Sequence, residues 1–173
     1  MCRSGQPSPE QLRAWIQRYG FKTIVNLRGP TAPLAQENAA LARSLGAETV
    51  FLQMSAYELM PRDALVQLLD VLETAPEPIL LHCHQGVDRA GTASALAAWL
   101  LGGQPYGFAK CQAYVLPGPW KHRRGSAHIS DTLTAYETYC HERGLHPDDP
   151  ARFKDWARNV YHPAAPAVPH PVE

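Results

Sequence analysis

The chain has 173 residues, 45% hydrophobic and 18% charged, which suits one globular domain with a sizeable core. Sixteen Lys and Arg balance sixteen Asp and Glu, so no global basic field exists to bind a nucleic acid or an anionic membrane. The longest apolar run, residues 93–101, is about half of a membrane span, and the N-terminus has no apolar leader. We expect a cytoplasmic protein without stable membrane insertion.

The four cysteines, Cys2, Cys83, Cys111 and Cys140, are too few for a disulfide scaffold and form no CxxC pair. Free thiols in a reducing compartment are therefore expected. Cys111 and Cys140 are predicted to lie in the core, and either of them, if close to Cys83, would form a disulfide with it under oxidation.

Helix and strand patterns alternate along the first half of the chain. Ser8 and Gln11 predict a capping box, and Pro9 suits the first helical position. The predicted elements in order are a helix ending near Gly20, a strand at 22–27, a helix at 34–45, a strand at 49–53, a helix from Pro61 and a buried strand at 79–81. This alternation predicts an α/β fold with an open, mainly parallel sheet flanked by helices.

The remainder of the chain is predicted to be helical. The predicted helices span residues 90–101, 105–116, 131–143 and 150–161, and Ser130 and Asp149 are expected to cap the last two. Residues 163–173 are rich in Pro and predict a flexible tail. Residues 1–162 would then form a single domain.

The strand at 79–81 leads into a short loop, after which the helix at 90–101 begins. Ligands of open parallel sheets lie at the carboxyl ends of the strands. Gly86 permits close backbone approach, and successive N–H groups at a helix N-terminus favour an anion such as a phosphate dianion. The predicted phosphate-binding residues are His84, Gln85, Gly86, Val87, Asp88 and Arg89.

Cys83 begins this loop and Arg89 ends it. The guanidinium of Arg89 suits two phosphate oxygens at once, which a Lys side chain does not. The same positive field favours the thiolate of Cys83, placed for in-line attack on phosphorus to give a cysteinyl-phosphate. The competing interpretation of Cys83 is a buried structural thiol.

The segment His82-Cys83-x5-Arg89 resembles the signature of the Cys-dependent protein tyrosine phosphatase superfamily, and the match is closest to its small bacterial dual-specificity branch. Residues 3–8, 22–28 and 153–163 are also similar, so the resemblance covers about residues 3–163. It implies a phosphatase-like fold for residues 1–162, Cys83 as nucleophile, Arg89 as phosphate clamp and the loop amides as phosphate cradle. It implies no metal and no organic cofactor.

Two positions near the signature need their own interpretation. The family usually has Ser or Thr after the Arg, to stabilise the departing thiolate, and this chain has Ala90. Thr92 or a water would then have to substitute. His82 is interpreted as a hydrogen-bond donor behind the loop rather than a zinc ligand, because no second Cys/His pair has ligand spacing.

The general acid is the position at which this chain departs from many relatives. Many relatives carry an Asp about 30 residues before the Cys, but residues 53–57 contain no carboxylate. Asp88 resembles the loop Asp that has this role in myotubularin-like and some bacterial phosphatases. Glu58 and Asp63 are the alternatives, and Asp88 would otherwise only suit the helix dipole or orient Arg89.

The leading hypothesis is a phosphomonoester hydrolase of the protein tyrosine or dual-specificity type. Its partner would be a phosphorylated protein or a small phosphorylated substrate, such as a phosphoinositide or a sugar phosphate. The basic residues 121–124 either recruit such a polyanion or form a solvated loop. The alternatives are a rhodanese-type sulfurtransferase and a catalytically weak module that binds a phosphorylated ligand.

Overall fold

The protein, described here by a computed structural model over residues 1–114 and 128–163, is built around one parallel sheet. The strands are β1 (Cys2–Ser4), β2 (Thr23–Asn26), β3 (Glu48–Phe51) and β4 (Ile79–His82). Their order is β1-β4-β2-β3, and each neighbouring pair is parallel. Parallel neighbours need crossover connections, and helices supply them here.

Seven α-helices occur in the described residues. They are α1 (Pro9–Tyr19), α2 (Ala35–Ser44), α3 (Arg62–Thr74), α4 (Asp88–Leu100), α5 (Tyr106–Lys110), α6 (Asp131–His141) and α7 (Pro150–Asp155). A 3-10 turn, Cys111–Tyr114, continues α5, and a π-helical turn, Trp156–Val160, continues α7. None of the helices in residues 1–114 and 128–163 has the length and apolarity that crossing a membrane requires.

The sheet separates two hydrophobic cores because neighbouring strand residues point to opposite faces. Ile24 and Leu80 belong to a small core with α1 and α2. Val25 and Leu81 belong to the large core, which also contains buried side chains of α3, α4, α6 and α7. Cys83 shares the large core, two positions after Leu81.

The carboxyl ends of three strands meet at one edge of the sheet. His82 of β4 is paired with Ser4 of β1 on one side and with Asn26 of β2 on the other. Cys83 follows β4 directly, Arg28 lies two residues after the end of β2, and both are buried. The register therefore places the loop after β4 between the residues that follow β1 and β2.

The predicted α/β architecture with a parallel sheet is confirmed. The Ser8 capping box is present, and the Asp149 side chain accepts hydrogen bonds from the N–H groups of Ala151 and Arg152. The strand β1 was not predicted, because three residues give too short a pattern. Ser130 precedes α6, as expected, but its side chain caps no N–H group there.

The chain is helical where helices were predicted at 105–116 and 150–161, over the described residues, but neither segment is α-helical throughout. A 3-10 turn follows α5, a tightening that is common at helix ends. A π-helical turn follows α7, and in it the rings of Trp156 and Tyr161, five residues apart, lie 4.5 Å from each other.

One of the two predictions for cysteines in the core is wrong. Cys140 is buried as predicted, but Cys111 is exposed, because the buried face of its segment is formed by Tyr106, Ala109 and Ala113.

Two sequence predictions concern residues that lie outside those described. They are the basic cluster at 121–124 and, apart from residue 163, the Pro-rich tail at 163–173.

We expect Phe153→Ala to destabilise the protein by about 3–5 kcal/mol, because it leaves a cavity in the large core. Phe153 is fully buried, and its ring lies 4.9 Å from that of Tyr136 and 5.2 Å from that of Trp99. Phe108→Ala is the matched control, since Phe108 is 62% exposed and its loss should change stability by no more than about 0.5 kcal/mol. Urea unfolding of both variants measures the difference, and equal losses would contradict this account of the core.

Candidate active site

The loop after β4 is braced by the residues that follow β1. The N–H of Gln6 donates to the carbonyl of His84 at 2.9 Å. Gly86 has a φ of +76°, and a Cβ there would lie 2.6 Å from the backbone N of Gly5 and the carbonyl C of Ser4. Only glycine meets both demands, the left-handed conformation and the close approach.

Cys83 lies at the start of this loop and is almost fully buried. Its Sγ accepts a hydrogen bond from the N–H of Gly86 at 3.2 Å. The helix α4 begins five residues later, and its N-cap residue, Val87, provides no side-chain cap. The N–H groups of the first turn therefore have no intrahelical acceptor, which leaves positive partial charge near the thiol.

Arg89 is buried in the first turn of α4. Its Nη1 donates to the carbonyl of Met54 at 3.3 Å, which ties the guanidinium to the segment after β3. Its Nε is buried and has no hydrogen-bond partner among the described residues. Burying an N–H donor without an acceptor costs free energy, and an oxygen of a bound ligand at Nε would offset this cost.

Asp88 is in contact with a residue that the sequence analysis did not select. Its Oδ1 lies 3.0 Å from Nε2 of His128. This hydrogen bond lowers the pKa of Asp88, the positive charge of Arg89 acts in the same direction, and partial burial opposes both. No sequence signal identifies His128, because it lies 40 positions from Asp88 in the chain.

The alternative acids, Asp63 and Glu58, lie in α3 and in the segment that precedes it. The Asp63 side chain at the start of α3 is 89% exposed, and its nearest basic partner is Arg62 at 4.0 Å. Glu58 lies between β3 and α3 and is partly buried. Among the described residues, no hydrogen bond or ion pair joins either carboxylate to the loop at 83–89.

The other predicted site residues surround the loop. His84 and Gln85 are exposed, whereas Gly86 and Val87 are partly buried. His82 is buried, and this burial, aided by the charge of Arg28, lowers its pKa to about 4, so the ring is neutral at pH 7. Its Nδ1 has no hydrogen-bond partner among the described residues.

Ala90 and Thr92 are both fully buried in α4. The hydroxyl of Thr92 has no hydrogen-bond partner among the described residues, Cys83 included. The predicted substitution of Thr92 for the missing hydroxyl at position 90 therefore has no direct contact in its favour. Within the described ranges 1–114 and 128–163, no cluster of three or more potential metal ligands occurs.

These features define a Cys-dependent phosphatase of the dual-specificity type. A family described as a DSP-PTPase phosphatase fused to NAD+ kinase matches residues 1–104, and the chain belongs to this family. This match supports the phosphatase hypothesis over the rhodanese-type alternative. A comparison with curated proteins found no match.

Solved structures with the same fold include three phosphatases. The catalytic core of the PP-IP phosphatase SIW14 from S. cerevisiae has a TM-score of 0.57 at 21% identity, covering 82% of this chain and 86% of that one. P. aeruginosa TpbA, solved with pTyr, has a TM-score of 0.54 at 20% identity, covering 92% and 85%. A putative phosphatase from Shewanella putrefaciens has a TM-score of 0.55 at 16% identity, covering 83% and 87%.

We expect Gly86→Ala to disrupt the loop more than Gly46→Ala, although the two glycines have nearly the same φ, +76° and +78°. Each substitution carries the left-handed cost of about 1–2 kcal/mol. Only the Cβ at position 86 meets backbone atoms, since nothing lies within 4 Å of a Cβ at position 46.

Hydrolysis of an aryl phosphate and urea unfolding provide the two measurements. Gly86→Ala should lower activity about 100-fold or more, because a displaced loop misplaces the reacting groups. Gly46→Ala should retain activity. Equal activities in the two variants would show that the close approach of Gly86 to β1 does not position the loop.

Proposed function

We propose that the protein hydrolyses phosphomonoesters through a cysteinyl-phosphate intermediate, with Cys83 as nucleophile and Arg89 as phosphate clamp. The observation that carries this proposal is the hydrogen bond of 3.2 Å from the Gly86 N–H to Cys83 Sγ, in front of an uncapped helix N-terminus. This bond fixes the sulfur at the start of a loop whose N–H groups are suited to bind the phosphate that the sulfur attacks.

The phosphate would bind in the loop at 83–89. The N–H groups of the loop and of the first turn of α4 are suitable donors for its non-bridging oxygens. Arg89 adds a guanidinium whose buried Nε is without a partner in the described residues, and a phosphate oxygen would satisfy it. The contact between Arg89 Nη1 and the Met54 carbonyl limits the motion of the guanidinium before the substrate arrives.

The reaction has two steps. In the first, Cys83 Sγ attacks phosphorus, the S–P bond forms, the P–O bond to the leaving group breaks, and Asp88 donates a proton to the leaving oxygen. In the second, a water attacks phosphorus, Asp88 accepts one of its protons, and the S–P bond breaks to release phosphate and the thiolate. Asp88 loses a proton in the first step and regains one in the second. The enzyme is therefore unchanged after one full cycle.

Asp88 must be protonated to act as the acid in the first step, although its pKa is lowered. In the unbound protein, His128 and Arg89 both favour the carboxylate of Asp88. A bound phosphate dianion brings negative charge to the same loop, which opposes a second negative charge and raises the pKa of Asp88. The substrate would thus promote the protonation that its own cleavage needs.

Ala90 bears on the second step. Without a hydroxyl at this position, the thiolate that leaves has one donor fewer, and the N–H of Gly86 remains as its described partner. We propose that breakdown of the cysteinyl-phosphate is the slower step in this protein, with a water as the remaining candidate for the missing donor.

The substrate that we propose is a phosphomonoester of a protein or of a small molecule. The names of two proteins with the same fold refer to a PP-IP phosphatase and to a complex with pTyr. A phosphorylated protein is our first candidate and a phosphoinositide or sugar phosphate the second. A cytoplasmic location is proposed with it, because a thiol nucleophile is preserved in a reducing compartment.

We expect Cys83→Ser to lower aryl phosphate hydrolysis by on the order of 10⁴-fold or more, because the hydroxyl is a far weaker nucleophile at neutral pH. The control is Cys111→Ser, which changes an exposed thiol and should stay within about twofold of the parent rate. An acid quench with labelled substrate should trap label on the parent protein and none on Cys83→Ser. Undiminished turnover of Cys83→Ser would overturn the mechanism.

We expect Asp88→Asn to lower kcat/KM, which reports formation of the cysteinyl-phosphate, about 10²- to 10⁴-fold for alkyl phosphates, whose leaving oxygen needs a proton. The kcat/KM for p-nitrophenyl phosphate should change much less, since nitrophenolate leaves without protonation. Asp63→Asn is the matched control, because that carboxylate is 89% exposed and at the start of α3. Equal losses on both substrates would show that Asp88 has only a structural role.

A further inference from the structure

His128 contacts Asp88 and has no assigned role in the phosphatase chemistry above. Its Nε2 lies 3.0 Å from Asp88 Oδ1, and its side chain is 12% exposed against 40% for Asp88. The carboxylate is therefore the member of the pair that is open to a substrate. His128 is placed to act through Asp88 and not on the substrate itself.

The hydrogen bonds of the ring determine its tautomer. The backbone N–H of Ser130 donates to Nδ1 of His128 at 3.2 Å, and the Ser130 hydroxyl lies 2.7 Å from the same nitrogen. A backbone N–H can only donate, so Nδ1 is an acceptor in this arrangement. The ring proton is then on Nε2, from which it is donated to Asp88 Oδ1.

Two backbone N–H groups, those of His128 and Ile129, hold the segment at His128 in place. The N–H of Ile129 donates to the carbonyl of Ala56 at 3.1 Å, in the same segment as the Met54 carbonyl that accepts from Arg89. The N–H of His128 itself donates to the carboxylate of Asp131 at 2.8 Å. The imidazole is thus presented to Asp88 by an ordered backbone.

We propose that His128 is the positioning residue for Asp88: its Nε2–H holds Oδ1 and so leaves Oδ2 to carry the proton to the leaving oxygen. The proposal depends on the role of Asp88 given above. As the P–O bond breaks, the Oδ2–H bond breaks and the new O–H bond forms on the leaving group. The carboxylate that results is stabilised by the hydrogen bond already present at Oδ1.

The proposal predicts a change in pH dependence. An acid that must be protonated loses activity as the pH rises through its pKa, and the hydrogen bond from His128 keeps the pKa of Asp88 low. Without His128, this falling limb should move to higher pH. The other charged groups that face Asp88 and His128 are Arg89 on α4 and Asp131, whose carboxylate accepts from the His128 N–H. Both are unchanged in the variants.

The experiment compares His128→Ala and His128→Gln with the control His141→Ala, which changes an exposed histidine at the end of α6. The measurement is kcat/KM against pH for an alkyl phosphate and for p-nitrophenyl phosphate, with thermal unfolding as a check of folding. We expect His128→Ala to lose on the order of 10-fold on the alkyl phosphate, a part of what a general acid contributes. We expect little loss on p-nitrophenyl phosphate and a shift of the falling limb to higher pH.

The Gln variant tests the hydrogen bond itself. The amide N–H of Gln can replace Nε2–H, so His128→Gln should recover most of the lost activity. Equal losses on both substrates with an unmoved limb would overturn the proposal in favour of a purely structural histidine.

The double variant Asp88→Asn/His128→Ala separates this proposal from the acid role of Asp88. If His128 acts through Asp88, the double variant should be no slower than Asp88→Asn alone. If Asp88→Asn shows the leaving-group effect and His128→Ala does not, only the positioning role fails. If neither variant shows it, the acid role of Asp88 fails, and the positioning role fails with it.

Discussion

The close approach between the loop after β4 and the backbone of Ser4 and Gly5 is the constraint on which the candidate site depends. Gly86 has no room for a Cβ there, and the Gln6 N–H to His84 carbonyl bond fastens the other half of the loop. With both contacts in place, the Gly86 N–H is directed to Cys83 Sγ. The short strand β1 matters for the same reason, because its pairing with β4 brings residues 4–6 to the loop. An edge strand of three residues adds little to the core, yet it shapes the backbone that faces the thiol.

A second set of contacts connects the loop to the far half of the chain. Arg89 bonds to the Met54 carbonyl, Ile129 bonds to the Ala56 carbonyl, and the Met60 N–H bonds to the Thr132 hydroxyl. Residues 54–60 thus lie between the first turn of α4 and the start of α6. The large core supports this arrangement, since α3, α4 and α6 all bury side chains in it. The site region is therefore supported by α3, α4 and α6, which are distant in sequence. Because they share one core, a change in the packing of one helix alters the contacts of the other two.

Local sequence signals predicted the features that depend on local physics. The Ser8 capping box, the Asp149 cap and the buried strand β4 each follow from neighbours within four residues. Helix bounds and helix types were mistaken in detail: Leu34, predicted as the first residue of a helix, precedes α2 with a φ of 60°, and a π-helical turn follows α7. Features that depend on tertiary contact were missed. His128 is the main example, because only the folded chain brings it to Asp88.

The electrostatics of the site place opposite demands on one carboxylate. Asp88 stands in the first turn of a helix, beside Arg89 and His128, and each of these surroundings favours its ionised form. A general acid must hold a proton, and a phosphate dianion in the same loop supplies the charge that opposes ionisation. In the proposed mechanism, Asp88 therefore holds its proton mainly when substrate is bound, and it is otherwise a carboxylate beside Arg89 and His128. If Asp88 has this role, substrate binding forms the proton donor, and the mechanism needs no acid on a separate mobile loop.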